Sequence, residues 1–81
     1  MPQKPATRIF TIEQRQDGRF VSRNETPGDS PLGVDPSENM AIGTCRREAT
    51  MASRLGCTVI IKARQPGGKW KEVDRVEPPR T

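Results

Sequence analysis

Residues 35–62 constrain this chain most, because they read as one capped helix followed by the most apolar strand in the sequence. Asp35-Pro36-Ser37-Glu38 carries three start signals together. Asp35 can accept a hydrogen bond from a free first-turn N–H. Pro36 falls at the first helical position, where its missing donor costs nothing. Glu38 stands where the acidic partner of a capping box would stand. Gly56 is the expected stop, since glycine takes the left-handed cap conformation without strain. The helix is predicted over 36–55, about 20 residues and roughly 30 Å.

At about 100° per residue, Ala41, Ile42, Cys45, Ala49, Ala52 and Leu55 share one side. These residues are mostly small, so the helix is expected to sit close to a sheet. Glu48 borders that side and must reach water or a base. Arg46, Arg47, Thr50, Arg54 and Gly43 take the opposite side. Met40, Thr44 and Met51 form a flanking stripe, read either as rim packing under a loop or as a partner-contact edge. With Arg47 and Arg54, Met40 and Met51 make that edge a candidate interaction site. Cys57-Thr58-Val59-Ile60-Ile61-Lys62 is β-branched and short, which predicts a central strand over 57–64.

The rest of the chain supplies two hairpins. Residues 7–15 alternate as a strand, and Asp17-Gly18 signals a tight turn into a second strand over 19–24. With a two-residue turn, Gln14 would pair with Val21. Phe10, Ile12 and Val21 would then share the core face, and Phe20 would point the other way with Arg15, Glu13 and Ser22. Residues 24–34, with Pro27, Gly28, Pro31 and Gly33, read as a long loop. Val34 is placed to staple the helix entry. Gln65-Pro66-Gly67-Gly68 is a turn, and 69–76 is the last strand. The expected fold is α+β in ββαββ order: a four-stranded, mainly antiparallel sheet with one helix packed on one face. The core should comprise Phe10, Ile12, Val21, Ile42, Cys45, Ala49, Ala52, Leu55, Val59 and Ile61. One helix covers one side of a sheet, so the other face is expected to meet water, a dimer mate or a ligand.

Eighty-one residues, 31% hydrophobic and 30% charged, predict one domain over 1–81 with a small core and tails at 1–6 and 77–81. Fourteen bases against ten acids give a net charge of +4. That balance favours nucleic acid or an acidic protein surface as partner. No apolar run is long enough for a membrane span, and residues 1–6 do not begin a signal peptide. A cytoplasmic location with free thiols at Cys45 and Cys57 is the expectation. The sequence contains no histidine, which removes the usual general base and most zinc sites. The two cysteines lack metal or redox spacing. Asp29, Ser30 and Asp35 lack the spacing of a calcium loop. Glu72 and Asp74 are expected on one strand face, as partners for Lys71, Arg75 or neighbouring bases. A non-enzymatic protein with no cofactor and no metal is therefore expected.

The sharper signal surrounds the single tryptophan. Lys62, Arg64, Lys69 and Lys71 flank Trp70. A three-residue turn would put Ile60, Lys62, Arg64 and Trp70 on one face, opposite Val59, Ile61 and Val73. With Arg15 and Phe20 added, that face has the physics of a single-strand nucleic-acid platform. The alternative is that Trp70 caps the core and the bases are a solvated face; one turn residue more or less decides between them.

Asp17-Gly18-Arg19-Phe20-Val21-Ser22-Arg23, then a helix, then Gly56-Cys57-Thr58-Val59-Ile60-Ile61-Lys62, resembles the small bacterial ββαβ proteins of unknown function. The resemblance covers about two thirds of the chain, and the insert at 24–34 departs from it. The layout is also similar to some small phage anti-CRISPR proteins. That second resemblance implies a stoichiometric inhibitor that occupies a host surface. Neither supplies site residues. Two functions are thus in view: a binding module for nucleic acid, and a protein-interaction inhibitor or adaptor. A homodimer through the open sheet face is a third use of the same surface.

Overall fold

The computed structural model describes residues 7–25 and 30–79. The elements are β1 (Thr7–Gln14), β2 (Phe20–Asn24), β3 (Ser30–Asp35), α1 (Glu38–Arg54), β4 (Thr58–Arg64) and β5 (Trp70–Val76). They form one mixed sheet in the order β3-β2-β1-β4-β5. Every neighbouring pair is antiparallel except β1 and β4, which run parallel. The expected α+β class and the single helix across one sheet face are present. The expected ββαββ order with four strands is corrected to βββαββ with five.

The extra strand, β3, lies inside the expected loop 24–34. Pro31 and Gly33 argue against a central strand, but β3 is an edge strand, where a missing donor is tolerated. A bulge between Ser22 and Arg23 in the β2–β3 pairing lets Leu32 pack against the core without a cross-strand partner. Val34 pairs with Val21 and is 47% exposed, so it does not staple the helix. Residues 1–6, 26–29, 80 and 81, which include parts of the expected tails and loop, lie outside the described residues.

The first hairpin closes differently from the expected two-residue turn. Arg15 N–H donates to the Arg19 carbonyl at 2.7 Å, and Gly18 N–H donates to the Arg15 carbonyl at 3.0 Å. Gly18 has φ 88°. This is a three-residue loop whose last residue is a left-handed bulge. Gln14 therefore pairs with Phe20, not Val21. The one-residue shift turns β2 over: Phe20 and Ser22 face the helix, while Val21 and Arg23 face away. Phe20 packs against the core, and Val21 is only half-buried.

The helix starts at Glu38 with Ser37 as its cap; Ser37 Oγ accepts the Met40 N–H at 3.2 Å. Asp35, the expected cap, is still in β3, paired with Phe20, and its carboxylate accepts from Thr44 Oγ1 at 2.9 Å. Leu55 is the C-cap and Gly56, at φ 94°, follows it. Leu55 was expected in the core and is 79% exposed. It lies about 80° from Cys45 around the helix axis and past the last helical residue, beyond reach of the sheet.

Ala41, Cys45, Ala49 and Ala52 do line the buried side, with Ser53 beside them. They meet Phe10, Ile12, Val59, Ile61 and Ala63 from the sheet; Ile42 and Val73 pack at the margin. Small side chains bring the helix close: a Cβ on Gly33 would stand 3.3 Å from Thr44 Cγ2. Cys45 and Cys57 are both buried free thiols.

Candidate binding face

The helix contacts all five strands from one side. On the other side, the pleat and the strand registers assemble three cross-strand rows. The row nearest the two hairpin turns runs Val34, Val21, Glu13, Arg64, Trp70. The middle row runs Arg23, Thr11, Lys62, Glu72. The third runs Ile9, Ile60, Arg75. Apolar ground thus lies at Val21–Val34 and at Ile9–Ile60, with Trp70 at one edge, 46% exposed.

The second hairpin explains why Trp70 stands there. Gln65 N–H donates to the Lys69 carbonyl at 2.7 Å, and Gly68 N–H donates to the Gln65 carbonyl at 2.9 Å. The loop again holds three residues, which pairs Arg64 with Trp70 and Ala63 with Lys71. Ile60, Lys62, Arg64 and Trp70 therefore share the uncovered face, the arrangement expected from a three-residue turn. Further along, a bulge between Ile61 and Lys62 leaves Val73 without a cross-strand partner. Glu72 then stands opposite Lys62 and Asp74 opposite Ile61, so the two carboxylates occupy different faces. Their expected placement on one face fails because the bulge adds a residue between them. Asp74 instead accepts from Arg46 Nε of the helix.

The other expected site residues divide. Lys71 lies on the helix side of β5, opposite the buried Ala63. Phe20 also lies on the helix side and does not join Trp70. Arg15 sits in the first turn, 3.8 Å from Asp17. There it borders a shallow groove on the uncovered face with Thr11, Glu13, Val21 and Arg23. Lys69 is exposed in the second turn. Because β1 and β4 are parallel neighbours, both turns project from the same end of the sheet. Met40, Arg47, Met51 and Arg54 are all exposed on the far side of the molecule, on α1.

Two charged members of the uncovered face were not expected, Arg23 and Arg75, and neither was the pairing of Glu13, which was expected on this face, with Arg64. Arg23 was hidden by the miscounted first turn. Glu13 meets Arg64 only because β1 and β4 are neighbours, a fact of sheet order. Arg75 reaches this face through the β5 bulge. Two of the bases are paired within the face. Arg64 Nη1 donates to Glu13 Oε1 at 2.6 Å, and Arg75 Nη2 donates to Glu72 Oε1 at 2.9 Å. The hydrogen bond and charge of Glu72 raise the Arg75 pKa above its ordinary value. Lys62 has no ion pair among the described residues.

Among the described residues no cluster of three or more His, Cys, Asp or Glu could hold a metal ion, and no helix is long and apolar enough to cross a membrane. The Cys45 thiol is pushed up to about 11, chiefly by burial, against an opposing effect of the Ser22 hydroxyl and with a lesser upward push from the Asp35 charge. A thiol held protonated in this way is a packing group at neutral pH. No protein-family model, curated protein or solved structure matches the chain.

Proposed function

We propose that this protein is a non-catalytic binding module that uses the uncovered sheet face to hold an anionic partner, single-stranded nucleic acid. One observation carries the reading. The single tryptophan stands 46% exposed on the sheet face opposite the helix, beside Arg64 and on the same face as Lys62. An exposed indole on a sheet is a stacking platform for a base, and the adjoining bases can follow the phosphates. Trp70 also supplies its own probe. Its fluorescence should change on titration with single-stranded oligonucleotides at low salt. The affinity should fall steeply as salt rises, because each phosphate contact releases condensed counterions. Fluorescence that stays constant across that titration defeats the reading.

A second reading has specific support. Arg64 and Arg75 are already neutralised in part by Glu13 and Glu72, and Val21–Val34 and Ile9–Ile60 add apolar ground. An aromatic anchor among aliphatic residues and paired arginines suits a protein interface, as an inhibitor or adaptor would need. Binding through such a face should respond weakly to salt. The salt series therefore separates the two readings in one experiment.

A further inference from the structure

Five large hydrophobic residues are exposed among the described residues: Val34, Met40, Met51, Leu55 and Trp70. Three of them lie on α1 or at its C-cap, away from the sheet. At about 100° per residue, Met40, Arg47, Met51, Arg54 and Leu55 fall within an arc of roughly 100°. Cys45, at the centre of the buried side, lies about 140° from Met40. The stripe runs about 22 Å along the helix axis. Met40 is 54% exposed and Met51 is 62% exposed.

The charges on this stripe differ from those on the sheet. The sheet arginines Arg64 and Arg75 each meet a carboxylate, and Arg46 on the helix flank meets Asp74. Arg47 reaches only the Thr44 hydroxyl, at 3.4 Å, and Arg54 has no carboxylate partner among the described residues. The stripe thus interleaves apolar anchors with two cations that make no ion pair among the described residues, and the exposed Glu48 stands at its border. Met40, Arg47, Met51 and Arg54 follow one another at steps of seven, four and three, which keeps them on one face of the helix.

We propose that α1 is a second docking surface, and that its occupant is an acidic amphipathic helix of a protein partner. The partner's apolar residues would lie over Met40, Met51 and Leu55, and its flanking carboxylates would reach Arg47 and Arg54. Methionine suits this role because its unbranched thioether adapts to varied apolar shapes. Nucleic acid fits the stripe poorly: the stripe has no aromatic ring on which a base could stack, and two cations give few phosphate contacts. A second copy of this chain fits poorly too, because a symmetric seam sets arginine against arginine. With the sheet face on the opposite side, the module would bind one partner on each side. The stripe stands or falls independently of what the sheet holds.

The test uses the full chain with labelled methionine methyl groups. The probes are two synthetic helical peptides with leucine at the seam positions, one flanked by glutamate and its twin by lysine. The glutamate peptide should shift the Met40 and Met51 methyl signals. It should bind at least about tenfold more tightly than the lysine twin, since about 1.4 kcal/mol is a factor of ten. The double change Arg47→Glu and Arg54→Glu should remove that preference, and Trp70→Ala should leave it intact. All of these positions are exposed, and the fold should survive the changes. Equal binding of the two peptides, no binding of either, or stronger methyl shifts with an oligonucleotide than with the glutamate peptide would each overturn the proposal.

Discussion

Arg64 on β4 meets Glu13 on β1 across the one parallel seam of the sheet, at 2.6 Å and about half exposed on both sides. An exposed pair of this kind contributes about 0–1 kcal/mol to stability, so its removal tests the proposed binding face without unfolding the protein. On the proposed nucleic-acid reading, Glu13 competes with phosphate for the cation that stands beside Trp70.

Glu13→Gln should therefore change stability by less than about 1 kcal/mol. It should also tighten oligonucleotide binding and steepen the dependence of log affinity on log salt by about one unit, as one more cation becomes available to phosphate. Equilibrium titrations at several salt concentrations measure both. Arg64→Ala should move the slope the opposite way. If neither variant moves the slope, Arg64 does not touch the partner.

Ser22 offers a second test, inside the core. Its hydroxyl is fully buried on the helix side of β2 and has no partner at hydrogen-bonding geometry. It lies near enough to the Cys45 thiol to draw that pKa down, without a hydrogen bond of ordinary geometry between them. A buried polar group without a partner costs about 1–3 kcal/mol. Ser22→Ala should leave urea stability unchanged or raise it by up to about 1 kcal/mol, since only a small volume is lost. A loss above about 1 kcal/mol would show that the hydroxyl is bonded.

Ser22 also marks where the sequence could and could not be read. The apolar strand β4 and the small-residue side of α1 were legible, because their signals are periodic and long. Asp17-Gly18 was legible as a turn but not as a turn length. The same dipeptide serves a two-residue turn and a three-residue loop with a glycine bulge, and the difference decides whether Val21 or Ser22 enters the core. The second turn is open to the same ambiguity, and there the three-residue alternative is the one observed. Asp35 looked like a cap because Pro36 follows it, but both Asp35 and Ser37 are chemically able to cap. Only the pairing of Asp35 with Phe20 in β3 assigns the role to Ser37. The edge strand β3 was concealed by Pro31 and Gly33. The uncovered face could be deduced from one helix on one sheet. Its ion pair Arg64–Glu13 could not, because it depends on β1 and β4 being neighbours.

The Cys45 thiol makes stability depend on alkaline pH. Its pKa is raised from 9.0 to about 11 in the folded protein, chiefly by burial. A raised folded-state value means that the native protein holds the proton more tightly than the unfolded chain does. The contribution is fully present below pH 9 and is lost as pH rises from there through about 11. At about 1.4 kcal/mol per unit, the loss amounts to roughly 2–3 kcal/mol. Urea unfolding of the native protein and of Cys45→Ala at pH 8 and pH 11 isolates it: the alanine variant should lose less stability over that interval. Thiol reagents at pH 8 should modify neither Cys45 nor Cys57 in the native protein and both in denaturant, since both are buried and free. Rapid native modification of Cys45 would contradict its burial.

The spacing between helix and sheet yields the last prediction, because it separates two positions on α1 that look alike in sequence. Gly43 and Ala49 are both small helical residues. A Cβ built on Gly43 meets nothing within 4 Å, whereas Ala49 is fully buried against the sheet. Gly43 costs backbone entropy in a helix without any packing reason to be there. Gly43→Ala should therefore raise stability by about 0.5–1 kcal/mol, the ordinary helix-interior difference between the two residues. Ala49→Leu inserts a large side chain where Ala41, Cys45 and Ala52 keep the helix close to Phe10 and Ile61. It should lower stability by about 1–3 kcal/mol through overpacking. Urea midpoints of the two variants measured side by side give the comparison. A destabilising Gly43→Ala would place that residue in a contact with a partner or a second copy. A neutral Ala49→Leu would mean that the helix can lift from the sheet without cost, and the close packing drawn from the small-residue side would be wrong.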